Sequence, residues 1–233
     1  MTSGRCRVSV RVCFAAAQIA AVTGQPAFAQ DPPPVSAQFA AYLKSPEYES
    51  LLIGHTVQAE RVVFPACQDV ALVQHGLGQV AQPPSFRGDI HPIAGEWLDH
   101  VLVDRCGTRA MENMLVMAVD GAAPAIVALL PGATVTGPQL QHDATAIAFQ
   151  SAAAQAKKSG NDVALCGQKP RLVVIDTQLD GVTSAAQTDA KGELVAGAWD
   201  ETWTVRACGQ PVAVPLHFAA NGAGGTNFTL RQK

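Results

Sequence analysis

Six histidines and a scatter of acids are the residues of this chain most able to do chemistry. His91 and His100, with Asp89, Asp99 and Asp104, form the densest polar group, and they bracket Trp97. Such a group could bind a metal ion or act as a general base. His217 stands apart near the C-terminal end, and His55, His75 and His142 are isolated. No histidine pair has the short spacing of a recognised zinc site. The chain also lacks a G-x-S-x-G elbow, an H-E-x-x-H helix, a Walker A loop and a G-x-G-x-x-G turn ahead of a helix. No residue is therefore assigned a catalytic, cofactor-binding or metal-ligating role, and no cofactor is expected. A solvated strand and loop accounts for the histidine–aspartate group. Trp97, Trp199 and Trp203 could stack against a sugar, but core burial against a helix is the reading adopted, because aromatic rings dominate core energetics.

Cysteine supplies the firmest covalent signal. Cys6 and Cys13 lie in a segment with the marks of a secretory signal. Its basic start carries Arg5, Arg7 and Arg11, an apolar run follows from Val12 to Val22, and Ala27-Phe28-Ala29 is a small-x-small cleavage pattern. The run is shorter than the roughly 20 apolar residues that span a bilayer. Residues 1–29 are read as the signal peptide, which places the mature chain in the periplasm or outside the cell, with no stable membrane insertion. Cys67, Cys106, Cys166 and Cys208 remain, an even number that implies two disulfides in an oxidising compartment. Removing residues 1–29 takes three of 16 basic residues and none of 19 acidic ones, so the formal charge moves from −3 to −6. An acidic chain with no basic cluster argues against nucleic acid as a partner.

The elements that position these residues follow from an internal match. Residues 95–107 align without gaps on residues 197–209: Gly95 on Gly197, Trp97 on Trp199, Val103 on Val205, Cys106 on Cys208 and Gly107 on Gly209, with Asp99 facing Glu201. Cys67 precedes Cys106 by 39 positions and Cys166 precedes Cys208 by 42. These features read as tandem copies of one unit, over 34–133 and 134–233. A copied unit satisfies its own cysteines, so the expected bridges are Cys67–Cys106 and Cys166–Cys208.

Each unit is expected to be a helix followed by four or five antiparallel strands, an α+β layer. Helices are predicted from Ser36 to Leu43 and from Pro46 to Leu52, with Ser45 as N-cap. In the second unit, Thr136 to Gln139 fits a capping box, and Leu140, Ala144, Ile147, Ser151 and Ala154 mark the apolar helix face. Trp97, Asp99, Val101 and Val103 share one strand face, as do Trp199, Glu201, Trp203 and Val205. Turns are expected at Asp120-Gly121 and at Asn221 to Gly225, and Leu179 to Glu193 is expected to be an exposed loop.

The tail from Trp203 to Phe228, W-x-V-x-x-C-G followed by G-x-G-G-x-x-F, resembles tails of uncharacterised exported proteobacterial proteins. That resemblance implies export and carries no activity. A non-catalytic binding or inhibitor-type protein acting on a protein or envelope component is the functional expectation. The alternative is a periplasmic hydrolase of envelope polymers, which would need His100, Asp99 or His217 to meet in one pocket. A purely structural role is the third.

Overall fold

The computed structural model describes residues 35–88, 90–167, 169–188 and 194–231. The signal peptide read over residues 1–29, and Asp89, lie outside them. The element order is α1 (Ala37–Tyr42), α2 (Pro46–Val63), β1 (Val70–Ser85), β2 (Ala94–Arg105), β3 (Thr108–Val119), β4 (Ala122–Ala128), α3 (Pro138–Lys158), β5 (Leu172–Thr188), β6 (Leu194–Ala207), β7 (Gln210–Ala220) and β8 (Thr226–Leu230). The strands form two antiparallel four-stranded sheets, ordered β1-β2-β3-β4 and β5-β6-β7-β8. Helices on one face of each sheet make the fold α+β.

The two sheets share one register. Trp97 opposes Val116 as Trp199 opposes Phe218, and Met114 opposes Ala128 as Leu216 opposes Leu230. The bulges coincide as well: Leu72/Gln74 and Leu77/Gln79 in β1 answer Val174/Asp176 and Leu179/Gly181 in β5. Each correspondence is a shift of 102 positions, as from residue 72 to residue 174. Backbone bonds outside the ladders follow it, with Leu129 N–H donating to Asn113 O and Arg231 N–H to Pro215 O. Gly95 and Gly197 have φ of 133° and 134°, which only glycine adopts readily.

The disulfides are Cys67–Cys106 and Cys166–Cys208, with Cα atoms 5.9 and 5.8 Å apart. Cys106-Gly107 and Cys208-Gly209 each make a two-residue hairpin turn. All four residues have positive φ, at 47° and 81° and at 49° and 81°. Two successive left-handed residues give the twist a tight hairpin needs.

Ser36 and Ser45 cap their helices, their hydroxyls accepting from Phe39 N and Tyr48 N at 3.1 and 3.2 Å. Helix α2 runs eleven residues past Leu52, the expected end, to Val63. Its inward face continues through Thr56 and Glu60, both buried, and such polar residues hide an apolar period. Helix α3 differs from expectation twice. Gly137 is its N-cap with no side-chain bond, because the Thr136 hydroxyl pairs with Thr134 Oγ1 at 2.6 Å instead. Its buried stripe is Gln141, Ala144, Ala148, Ala152 and Ala156, whereas Leu140 and Ile147 lie at its margin. The expected loop from Leu179 is also corrected. Strand β5 continues to Thr188, because β6 offers a ladder partner as far as Leu194.

The two cores are built by different means. Under sheet one, helices α1 and α2 bring Phe39, Tyr42 and Tyr48 around Trp97, with Phe39 edge-on at 5.1 Å. Under sheet two, α3 brings alanines, and the sheet supplies Trp199, Trp203 and Phe218, with Trp199 stacked on Phe218 at 5.3 Å. The bulk moves from helix to sheet while the interior stays close-packed. Among the described residues, no helix is long and apolar enough to cross a membrane.

Candidate functional site

Period-two alternation sends Asp99 and His100 to opposite faces of β2, so the densest group of the sequence is split. Asp99 is fully buried beneath sheet one. Tyr48 OH donates to its Oδ2 at 2.8 Å, His75 Nδ1 lies 3.2 Å from Oδ2, and Gly76 N–H donates to Oδ1 at 3.1 Å. Trp97 Nε1 donates to the Tyr48 hydroxyl at 3.1 Å. Burial and the Asp99 charge push the Tyr48 phenol far above its ordinary pKa, so Tyr48 stays a hydrogen-bond donor. Glu201 takes the matching place beneath sheet two. Trp199 Nε1 and Trp203 Nε1 donate to it at 3.1 and 2.7 Å, and Thr134 Oγ1 and Val135 N–H add further donors. Asp99 thus joins helix α2 to β1 and β2, and Glu201 joins β6 to the segment before α3, each hydrogen-bonded as a buried carboxylate requires.

His100 lies on the other face of sheet one, its Nδ1 2.6 Å from Asn113 Oδ1. Asn113 Nδ2 donates in turn to Leu130 O and Gly132 O, which fixes the segment leaving β4. His91 sits in the loop between β1 and β2, 3.2 Å from the Tyr42 hydroxyl, and burial raises the Tyr42 phenol to about 12. A shallow open cleft beside His91 is lined by Gly88, Ile90, Ile93, Gly121 and Ala122, and among the described residues it gathers no second ionisable group. Asp104 accepts from Gly107 N–H at the β2–β3 turn. His217 belongs to sheet two, 2.7 Å from Asp200, which also meets Arg231 at 3.0 Å. Partial burial raises the Asp200 pKa, but the bonds from His217 and Arg231 outweigh it and hold the carboxyl below its ordinary value. Asp99, His100 and His217 therefore share no pocket. Among the described residues, no three histidines, cysteines or acids are placed to hold a metal ion.

One charge cluster has no counterpart in the sequence reading. Arg105 Nε and Nη2 donate to Glu60 at 2.5 and 2.6 Å, and Nη2 donates to Glu112 Oε1 at 3.0 Å. Glu60 is 1% and Glu112 5% exposed, so two carboxylates share one guanidinium out of water. Burial, then the hydrogen bond and charge of Glu60, push Glu112 up to about 9, and it holds its proton at neutral pH. Phe64 lies between two cations, with the Arg105 guanidinium 3.6 Å and that of Arg206 4.9 Å from its ring centre. Arg206 also donates to Val63 O, a terminal carbonyl of α2, so a residue of sheet two caps a helix beneath sheet one. Asp176, whose pKa burial raises, faces Arg105 from β5. The signal that could have exposed this cluster is Glu60, a lone acid at the inward phase of α2.

No family model, curated protein or solved structure matches the chain.

Proposed function

We propose that the protein is exported to the periplasm or beyond and binds a protein or envelope component without transforming it. In the same reading, its halves, 34–133 and 134–233, are copies of one unit. The observation that carries this is where the polar chemistry goes. Asp99 and Glu60 are occupied by contacts that fasten helix α2 to sheet one, and Glu112 by Arg105 of the neighbouring strand. Glu201 is occupied by donors from β6 and the segment before α3, while the partly buried His100 and His217 belong to different sheets. Groups so fully engaged hold a scaffold and leave its surface for recognition. Two disulfides fit an oxidising compartment. The shift of 102 positions, kept through four strands and two bulge pairs, supports copying of a unit. The test is crosslinking capture from envelope extract with the chain matured at Gln30. A partner retained against competing unlabelled protein is the expected result, and its absence overturns the reading.

A further inference from the structure

Among the described residues, nothing pairs with the outer edge of strand β1, whereas the edge of its counterpart is covered. Both β1 and β5 are terminal strands of their sheets. The outer edge of β5 is occupied by the segment leaving β4: Ala133 pairs with Gln178 in parallel, and Ala133 N–H donates to Thr177 O at 2.7 Å. Thr177 Oγ1 donates to Pro131 O at 2.6 Å. Gly132 is what allows the approach, since a Cβ there would stand 2.2 Å from Thr177 O and its φ is +96°. The common register puts His75 in place of Thr177, opposite Val101 as Thr177 is opposite Trp203. Among the described residues, no backbone hydrogen bond reaches the outer edge of β1 between Val73 and Gly78. Gly76 and Gly78 are exposed there, and Val73 is 41% exposed.

Exposed edges are ordinarily blunted by charge, proline or bulges. Strand β1 has no Lys, Arg, Asp or Glu. Its prolines, Pro83 and Pro84, lie at the far end, and bulges bound a short regular stretch from Gln74 to Leu77. We infer that this stretch docks an extended, uncharged, glycine-containing segment of a partner polypeptide, parallel to β1, as residues 131–133 dock on β5. The inference rests on the binding reading above and names its surface. Strand addition of this kind draws its affinity from main-chain bonds and its selectivity from what each side position tolerates. A second copy of the chain is a poorer occupant, because Pro131-Gly132 is its sole Pro-Gly pair and is already engaged at its own β5. His75 is turned to Asp99, so it offers no counterpart of the Thr177 hydroxyl, and the carbonyl of residue 75 is the main anchor.

The experiment titrates isotope-labelled mature chain with a synthetic peptide of residues 129–134, Leu-Leu-Pro-Gly-Ala-Thr. Two altered peptides accompany it: one N-methylated at the alanine, one with Gly132→Val. Saturable amide shifts at residues 74–78 are expected, with binding about fivefold weaker or worse for each altered peptide, since each loses a backbone bond or the close approach. No shift at 74–78, or equal affinity for all three peptides, overturns the inference. So does a free protein in which residues 30–34 contact His75, or a dimer that the peptide disperses. A captured partner crosslinked only away from β1 overturns the edge and leaves the binding reading standing. Shifts at β1 with no partner captured uphold the edge and remove the binding reading.

Discussion

Glu112→Gln tests the buried charge cluster through the pH dependence of stability. Glu112 titrates near 9 in the folded chain and near 4.5 when exposed to water. Below pH 4.5 both states hold the proton and the group costs nothing. Between 4.5 and 9 the unfolded chain releases its proton while the folded chain keeps it, so stability falls as pH rises, by about 1.4 kcal/mol per pH unit. The loss reaches about 3 kcal/mol at pH 7. Glutamine copies the protonated acid: its Oε1 still accepts from Arg105 and its Nε2 donates to Glu60. Glu60, Arg105, Asp176 and Arg206 face the site in both proteins, so the difference between the two pH profiles reports the Glu60–Glu112 pair. Urea unfolding at pH 5, 7 and 8.5 reads it. The variant is expected to gain on the wild type by several kcal/mol across that range and to be the more stable protein at pH 8.5. Parallel pH profiles, differing by a constant, would refute a proton held between Glu60 and Glu112.

Three further outcomes follow from the geometry. Replacing Cys67 and Cys106 by alanine together should destabilise the first half by about 3–4 kcal/mol, as expected for a loop of 39 residues, and leave Cys166–Cys208 intact; limited proteolysis with non-reducing peptide mapping locates the damage. Gly95→Ala brings a Cβ 2.6 Å from Pro84 Cα at a φ of +133°, and a loss of about 2 kcal/mol or more is expected in thermal unfolding. Trp203→Phe keeps most of the ring but removes the donor 2.7 Å from Glu201, at a cost of about 1–3 kcal/mol; a change below the error of chemical denaturation would show that Glu201 is satisfied without it.

Much of the frame is written in local pattern. Tryptophan and cysteine are scarce, so their matched spacing led to the disulfide pairing and to the shared strand faces of Trp97 and Trp199. Alternation gave β2 and β6, and glycine gave the β3–β4 and β7–β8 turns. Ser45-Pro46 gave the start of α2, since N-caps act within one turn. Local signals failed where a distant partner changes what a residue is worth. Glu60 lies beyond the expected helix end at Leu52, and it is Arg105, 45 positions on, that takes it into the core. The Cys-Gly pairs carry no familiar turn signature, because asparagine, not cysteine, is the usual first residue of such a hairpin. Alanine offers no phase, so the inward face of α3 was settled by Trp199, Trp203 and Phe218 filling the space above it. The polar stretch after Leu179 is a strand because β6 supplies its hydrogen bonds. Composition and spacing thus determined the covalent frame and the strand faces, which depend on residues near in sequence. Burial of the acids, the seam around Phe64 and the covered edge of β5 were decided by tertiary structure, because each depends on a group brought close only when the chain is folded.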